Sequence, residues 1–334
     1  MRSADKPRAH GGNMCLEKLA AAYIRYDTGR HDRVRIASQT PPAGVGAEEY
    51  AYLPDGDAMH MLNFYRPEGA DAGKKLPLIV NIHGGAWVYG DKDLNKYYCM
   101  YLASKGFCVT GMSYRLMPDV TLKEQVQDVF AALNWTADNA ARLGADVSEV
   151  MLTGDSAGGH LASLALAAML SPELAERYGV KVPDMNVRCL VMSHPVCEVH
   201  SVLRGKDNGP ARHGKLVQHV FDRLLFGPKP RGNAVYGASA FTEYSEGVTF
   251  PPVMLIGCER DVYARHSLFL ADEFAKLEKE GRCPRFLFDF VKADDETRRL
   301  RHVYNIVRYE WAESGRVNDL SLAFFRESMG GADE

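Results

Sequence analysis

The sequence of 334 residues lacks the features that would place it in a special class of protein. No uninterrupted apolar run approaches the roughly 18 residues that span a bilayer, and the stretch MRSADKPRAHGGN contains no apolar signal-peptide core. Internal repeats, low-complexity tracts and long Pro, Ser or Gly linkers are also absent. We therefore expect a cytoplasmic protein without a membrane span, built around a single globular domain.

A charge excess of either sign is missing as well. Lys plus Arg number 40 against 43 Asp plus Glu, and the basic residues are scattered along the chain. Binding to a phosphate backbone requires a concentrated basic stripe or patch. The composition therefore disfavours nucleic acid as a partner and leaves a small molecule as the expected one, with a homo-oligomer left open.

Disulfide and metal patterns are not found among the seven cysteines, which are odd in number and include no CxxC. Most lie in apolar stretches, which is typical of reduced, buried cysteines. The set Cys197, His200, His213 and His219 matches no closed zinc pattern. We expect no metal and no cofactor, and we interpret Glu198 beside His200 as part of a solvated loop.

Short apolar segments alternate with segments of helical period through most of the chain. Continuous apolar strands separated by helices indicate an α/β protein with a mostly parallel central sheet covered on both faces. Before them, residues 48–66 alternate around the turn Asp55-Gly56-Asp57, which predicts a hairpin. The expected strands that follow are 78–82, 107–112, 150–152, 190–192, 253–256 and 286–288.

More than fifty residues separate the strand that ends near His194 from the strand that begins near Pro252. Typical connections in α/β proteins have about 2 to 6 residues, so this segment is an insertion. Its amphipathic stretch around Val217 to Leu224 and its position at a strand end favour a cap or lid over about 198–248. Residues 1–47 form a separate N-terminal segment that we expect to contribute to the cap.

The most specific motif is Gly154-Asp155-Ser156-Ala157-Gly158, between an apolar strand and an Ala/Leu-rich helix. In this context G-x-S-x-G predicts a nucleophile elbow, in which a tight strained turn presents the serine hydroxyl above the sheet. Ser156 is therefore the candidate nucleophile.

A second motif, His83-Gly84-Gly85-Ala86-Trp87, ends an earlier strand. Small residues there leave backbone N–H groups free to bind a developing negative charge. We expect Gly85, Ala86 and Ala157 to donate in the oxyanion hole and His83 to hold the loop. The aromatic side chains of Trp87 and Tyr89 either line the substrate pocket or pack the loop down.

A serine nucleophile needs a histidine base and a carboxylate that orients it. Asp261 follows the strand at 253–256 and is preferred to Glu259, because the Gly-x-x-x-Asp spacing turns the carboxylate back over the sheet. His302 follows the last strand and is the only histidine after His266, which we interpret as a helix-capping or surface residue. The order Ser, Asp, His along the chain fits this arrangement.

The motifs HGGAW at 83–87, SYRLMP at 113–118, GDSAGGH at 154–160 and GCERD at 257–261 occur in this order. Together they resemble the serine esterases of the α/β-hydrolase fold, specifically the hormone-sensitive-lipase-like and carboxylesterase group. The resemblance implies an α/β-hydrolase domain at 48–330, with its cap inserted after the sixth core strand. It differs from the family at Ala86, which replaces the third glycine of HGGG, and in the long charged segment 294–299 before the histidine.

The hypothesis from the sequence is a serine carboxylic ester hydrolase that cleaves short- to medium-chain or aryl esters through an acyl-enzyme. An arylformamidase with the same triad is one alternative, because its HGG-x-W motif is similar to that at 83–87. A non-catalytic ligand-binding protein on the same fold is the alternative from another class.

Overall fold

The computed structural model describes residues 16–71, 73–204 and 214–330. Within them, eight strands form one sheet: β1 Val45–Ala51, β2 Met61–Pro67, β3 Leu76–Ile82, β4 Cys108–Met112, β5 Ala145–Asp155, β6 Val187–Ser193, β7 Val253–Cys258 and β8 Phe286–Val291. Their spatial order is β1-β2-β4-β3-β5-β6-β7-β8. β2 pairs antiparallel with β1 and β4, and every other pair is parallel. The predicted hairpin and the mostly parallel sheet are thus confirmed.

The central strands carry mostly apolar side chains because helices cover both faces of the sheet. Along β3, Leu78, Val80 and Ile82 point into one hydrophobic cluster, whereas Ile79 points into the cluster on the opposite face. All four side chains are completely buried. A strand exposed on one face would instead show polar residues at alternate positions.

Ten α-helices surround the sheet in the described ranges: α1 Leu16–Ser38, α2 Lys96–Ser104, α3 Leu122–Leu143, α4 Ala157–Leu170, α5 Pro172–Tyr178, α6 Lys215–Phe226, α7 Phe241–Tyr244, α8 Ala264–Lys279, α9 Tyr304–Val307 and α10 Ala312–Ser328. α3, α4 and α8 contribute to the cluster on one face, and α2 and α10 to the other. No helix of these ranges has the length and apolar character that a membrane crossing requires.

Two segments outside the sheet pack against each other. α1, from the N-terminal segment, contacts α6, from the insertion, and Glu17 forms an ion pair with Arg223 between them. Arg25 joins α1 to the rest of the protein by donating to the carbonyls of Val88 at 2.7 Å and Met117 at 2.8 Å. Helix α1 of the N-terminal segment and helix α6 of the insertion thus pack together, whereas residues 1–15 and 205–213 lie outside the described ranges.

Candidate active site

Ser156 occupies the turn between β5 and α4, as predicted. Its backbone has φ 51° and ψ −117°, a region that non-glycine residues rarely adopt. The turn is held because the Ser156 N–H donates to the carbonyl of Ser193 on β6, at 3.0 Å. Such overdetermined strain is typical of a nucleophile elbow.

The glycines of this motif allow backbone segments to approach very closely. A Cβ on Gly154 would lie 2.4 Å from the carbonyl oxygen of Gly158, and a Cβ on Gly158 would lie 2.1 Å from that of Ile82. Both neighbours are backbone atoms that cannot move independently of the sheet. Glycine is therefore required sterically at these two positions.

Asp261 and His302 come together from the loops that follow β7 and β8. Nδ1 of His302 lies 2.9 Å from Oδ1 of Asp261, whose side chain is fully buried, whereas that of His302 is 24% exposed. Oδ1 of Asp261 also accepts the N–H of Tyr263 at 2.8 Å. Burial alone would raise the pKa of Asp261, but His302, together with His194 and the N–H of Tyr263, outweighs burial and lowers the pKa below its ordinary value.

Ser156 and His302 line the same cavity, which has a volume of about 360 Å³. Gly85 and Ala86 lie on its wall, and Tyr89 also contacts it. Ala157 is the first residue of α4, so its N–H precedes the intrahelical hydrogen bonds. The structure therefore gathers the predicted nucleophile, the base and two of the oxyanion donors, Gly85 and Ala86, around one space, whereas the third donor, Ala157, directly follows the nucleophile without lining the cavity.

The loop at 84–87 has an unusual backbone. Gly85, Ala86 and Trp87 all have positive φ, at 108°, 52° and 62°. The carbonyl of Gly85 accepts the N–H groups of Val88 and Tyr89, at 3.1 and 3.0 Å. Within the described part of the chain, the N–H groups of Gly85 and Ala86 donate to no protein group. They are available to a ligand in the cavity.

His83 holds this loop, as expected. Its Nδ1 donates to the carbonyl of Gly84 at 2.7 Å, and its ring stacks on Tyr114 at 4.3 Å between centroids. The Tyr114 hydroxyl in turn donates to the His83 carbonyl at 2.8 Å. Complete burial lowers the pKa of His83 to about 4, so its ring is neutral at pH 7.

Asp155 and Asn95 belong to the site but were missed by sequence reasoning. Oδ1 of Asp155 accepts the N–H of Gly84 at 3.0 Å and the side-chain amide of Asn95 at 2.7 Å. Burial raises the pKa of Asp155 to about 6 despite these donors. The position of Asp155 beside the nucleophile was a usable signal, whereas Asn95 belongs to no motif.

Of the two candidate pocket aromatics, Tyr89 lines the cavity and Trp87 does not. Trp87 is buried, and its indole N–H donates to Nδ1 of His160 at 3.2 Å. Nε2 of His160 donates to the carbonyl of Ser239 in the insertion, at 2.7 Å. Trp87 thus packs the loop down, and the expected pocket role is corrected for this residue.

Two expectations were wrong, one about His266 and one about the loop that contains Glu198 and His200. His266 is buried rather than capping or exposed, because the start of the insertion covers the first turn of α8, and its Nε2 donates to Val202 at 2.8 Å. Glu198 is buried rather than solvated and accepts the N–H of Thr242, while His200 contacts Glu243 at 3.2 Å instead.

Metal ligation was tested over the described residues. They contain no group of three or more His, Cys, Asp or Glu side chains placed to hold a metal ion. His213, one of the residues considered for zinc, lies outside the described ranges. The six cysteines that are described are all buried and free, as predicted.

The remaining cavity wall comes mainly from the two segments outside the sheet. Helix α1 supplies Ile24, Thr28, Asp32 and Arg35, and helix α6 supplies Phe221. Asp32 and Arg35 form an ion pair with atoms 2.8 Å apart. The wall is therefore largely apolar, and its two charged side chains, Asp32 and Arg35, pair with each other at one end.

Comparison with known proteins identifies the family. The BD-FAE family model matches residues 62–263, which is more than half of the chain. The chain belongs to the BD-FAE family. Among solved structures, this BD-FAE protein is similar to esterase B from Lactobacillus rhamnosis, with 33% identity and a TM-score of 0.84 over 95% of this chain and 97% of the other. That esterase was also solved inhibited by a C4-C4 tributyrin phosphonate.

Curated relatives of this BD-FAE protein include "Probable carboxylesterase 5" from Arabidopsis thaliana, 23% identical over 77% of this chain and 84% of the relative. "Probable carboxylic ester hydrolase LipM" from Mycobacterium tuberculosis is 32% identical over 70% of this chain, which spans about half of LipM (52%). The BD-FAE chain has the α/β-hydrolase fold and is a serine carboxylic ester hydrolase.

Proposed function

We propose that Ser156, His302 and Asp261 are the catalytic triad of this hydrolase and that it cleaves small esters. The observation that carries the proposal is the cavity shared by Ser156 and His302, with Asp261 placed 2.9 Å behind the imidazole. No other residue is needed to assemble a nucleophile, a base and an orienting carboxylate.

The reaction proceeds through an acyl-enzyme. Ser156 Oγ attacks the ester carbonyl while Nε2 of His302 takes the hydroxyl proton, and the same proton is then given to the leaving alcohol. Water attacks the acyl-enzyme by the same route and releases the acid. Asp261 fixes the tautomer that carries its proton on Nδ1 and stabilises the imidazolium in both steps.

The negative charge of each tetrahedral intermediate is received by the N–H groups of Gly85, Ala86 and Ala157. Two come from a loop held by His83 and Asp155, and the third comes from the N-terminus of α4. Because these donors are held before substrate arrives, they cost no reorganisation during the reaction. Each contributes about 10² to 10³ in rate.

Short- to medium-chain or aryl esters suit the cavity. Its volume of about 360 Å³ is near the lower end of ligand-pocket sizes. The apolar side chains of Ile24 and Phe221 place the acyl or aryl part against a cap made by α1 and α6. The tributyrin phosphonate bound by the related esterase B is consistent with esters of this size.

The test is turnover of p-nitrophenyl butyrate by the wild type and by Ser156→Ala. We expect Ser156→Ala to lose at least about 10⁴ in kcat and all labelling by a fluorophosphonate probe. The matched control is Ser148→Ala, because Ser148 is exposed at the other end of the same strand. Wild-type turnover by Ser156→Ala would refute the assignment, and a higher kcat/KM on an aryl formamide than on an aryl ester would refute the ester preference.

A further inference from the structure

A buried polar bridge lies beneath the two loops that carry Ser156 and His302. Ser193, the last residue of β6, donates its hydroxyl proton to Oδ1 of Asn305 at 2.5 Å. Its carbonyl accepts the N–H of Ser156 at 3.0 Å. Asn305 follows His302 by three residues and is the second residue of α9. One residue thus contacts the nucleophile turn through its backbone and the histidine loop through its side chain.

The far end of the bridge is attached to α10. The side-chain amide of Asn305 donates to Oδ1 of Asn318 at 3.0 Å, and that of Asn318 donates to the carbonyl of Asn305 at 2.8 Å. Ser193 is 2% exposed and both asparagines are fully buried. A buried network whose members satisfy each other is rigid, and breaking it leaves polar groups without partners.

The histidine loop needs such an anchor. Val303, directly after His302, has φ 52°, a left-handed conformation that a β-branched residue adopts only under constraint. The faces and edges of the His302 ring contact the rings of Tyr263 and His194, at 5.1 and 5.8 Å between centroids. Released from Asn305, the turn at Val303 would relax and carry His302 with it.

Ser193 also fixes one of these ring neighbours. Because its single proton goes to Asn305, its oxygen accepts from Nδ1 of His194, 3.0 Å away. His194 is completely buried and packs edge-on against His302. Ser193 therefore supports His302 in two ways, through Asn305 in the histidine loop and through the ring of His194.

The geometry points to Ser193 and Asn305 as positioning residues that hold the His302 side chain at the correct position and orientation relative to Ser156. Neither touches the substrate cavity, so they act through the triad and not on the substrate. This inference rests on the proposed function, since it assumes that His302 is the base. A shift of about 1 Å in a positioned catalytic group costs about 10² in rate.

The experiment measures p-nitrophenyl butyrate hydrolysis by Ser193→Ala, Asn305→Ala and the double variant. Active sites are counted by end-point fluorophosphonate labelling, so that misfolded protein does not contribute to kcat. We expect each single variant to lose about 30- to 100-fold in kcat per labelled site, with KM within about twofold of wild type. The double variant should lose no more than the worse single variant, because both break one bridge.

The matched control is Ser163→Ala, which removes another buried serine hydroxyl with one side-chain partner, Tyr244, at 3.1 Å. It should lower the melting temperature without changing kcat per labelled site. If either bridge variant does not fold, Asn305→Ser supplies the smaller change at the same bridge. A kcat per labelled site within twofold of wild type, or losses that multiply in the double variant, would overturn the inference. The triad itself is tested separately by Ser156→Ala.

Discussion

Asp155, the residue before the nucleophile, holds the oxyanion loop through Gly84, whose N–H lies 3.0 Å from the carboxylate. The same carboxylate oxygen accepts the amide of Asn95, so it joins three segments of chain. Space is so tight that a Cβ on Gly84 would lie 2.4 Å from Oδ2 of Asp155. The position of the oxyanion donors thus depends on a side chain that itself donates nothing to the substrate.

We predict that Asp155→Ala lowers kcat on p-nitrophenyl butyrate by about 10² or more, because the released loop no longer aims Gly85 and Ala86 at the oxyanion. Asp155→Asn should lose less, since its amide oxygen still accepts from Gly84. Steady-state kinetics measure both, and Asp138→Ala on the exposed face of α3 is the control. Equal losses in Asp155→Ala and Asp155→Asn would show that charge, and not the hydrogen bond, is what matters.

Asp261→Asn should reduce kcat by about 10⁴ while the fold is retained, because the amide favours the wrong tautomer of His302. The control is Glu259→Gln. Glu259 is the other carboxylate near this position that the sequence offers as the acid of the triad. Oε2 of Glu259 accepts the N–H of Ala293 at an exposed position, away from His302. We expect its kcat within threefold of wild type, and the opposite ranking of the two variants would assign the acid to Glu259.

The parts of the site that the sequence predicts are those with strong local signals. Ser156 is identified by its strand-turn-helix context, and the loops after consecutive parallel strands necessarily bring Asp261 and His302 to one edge of the sheet. These relationships follow from chain order alone.

The parts that sequence reasoning misses depend on tertiary contacts. Asn305 acts through Ser193, which is 112 residues away in the chain, and neither belongs to a motif. The buried position of Trp87 depends on its contact with His160, which is 73 residues away in the chain. Burial of His266 depends on how the insertion packs over α8. None of these is a property of a short window of sequence.

Phe221→Ala should shift the preferred acyl chain of p-nitrophenyl esters toward greater length, because this side chain closes the cavity from α6. We expect kcat/KM for the decanoate relative to the butyrate to rise by about tenfold, the value of one to two methylenes in an apolar pocket. Leu216→Ala on the same helix is the control, since Leu216 is 64% exposed and does not line the cavity that contains Ser156. An unchanged chain-length profile in Phe221→Ala would exclude the cap helix from the substrate pocket.

Gly158→Ala should destabilise the protein by about 3 kcal/mol or more, because the new methyl group would overlap the carbonyls of Ile82 and His83, at 2.1 and 2.4 Å. Gly237→Ala is the control, since its Cβ meets nothing within 4 Å, and should change the free energy of unfolding by less than about 0.5 kcal/mol. Urea denaturation measures both. Similar stabilities would mean that the elbow tolerates a wider approach than the structure shows.

Stability should fall as the pH decreases below 6.5, because burial lowers the pKa of several histidines: to about 4 in His83, His160 and His266, and to about 3 in His194. Between pH 6.5 and 4 these histidines bind protons in the unfolded chain but stay neutral in the folded protein, so the free energy of unfolding rises with pH. Each histidine contributes a slope of up to about 1.4 kcal/mol per pH unit. Asp155 acts oppositely: its pKa, raised by burial to about 6, makes its contribution fall as the pH rises from 3.8 to 6.

Urea midpoints at pH 7.5, 6.5, 5.5 and 4.5 measure this dependence. Glu198, His200 and Asp222, whose pKa values are raised, act in the same direction as Asp155, but the four buried histidines have the larger shifts, so the midpoint should decline steadily below pH 6.5. His160→Gln should flatten the decline, because it removes one buried imidazole, whereas His31→Gln at an exposed position of α1 should leave it unchanged. A midpoint that stays constant from pH 7.5 to 4.5 would mean that the folded protein takes up these protons as readily as the unfolded chain, which would contradict the lowered pKa values.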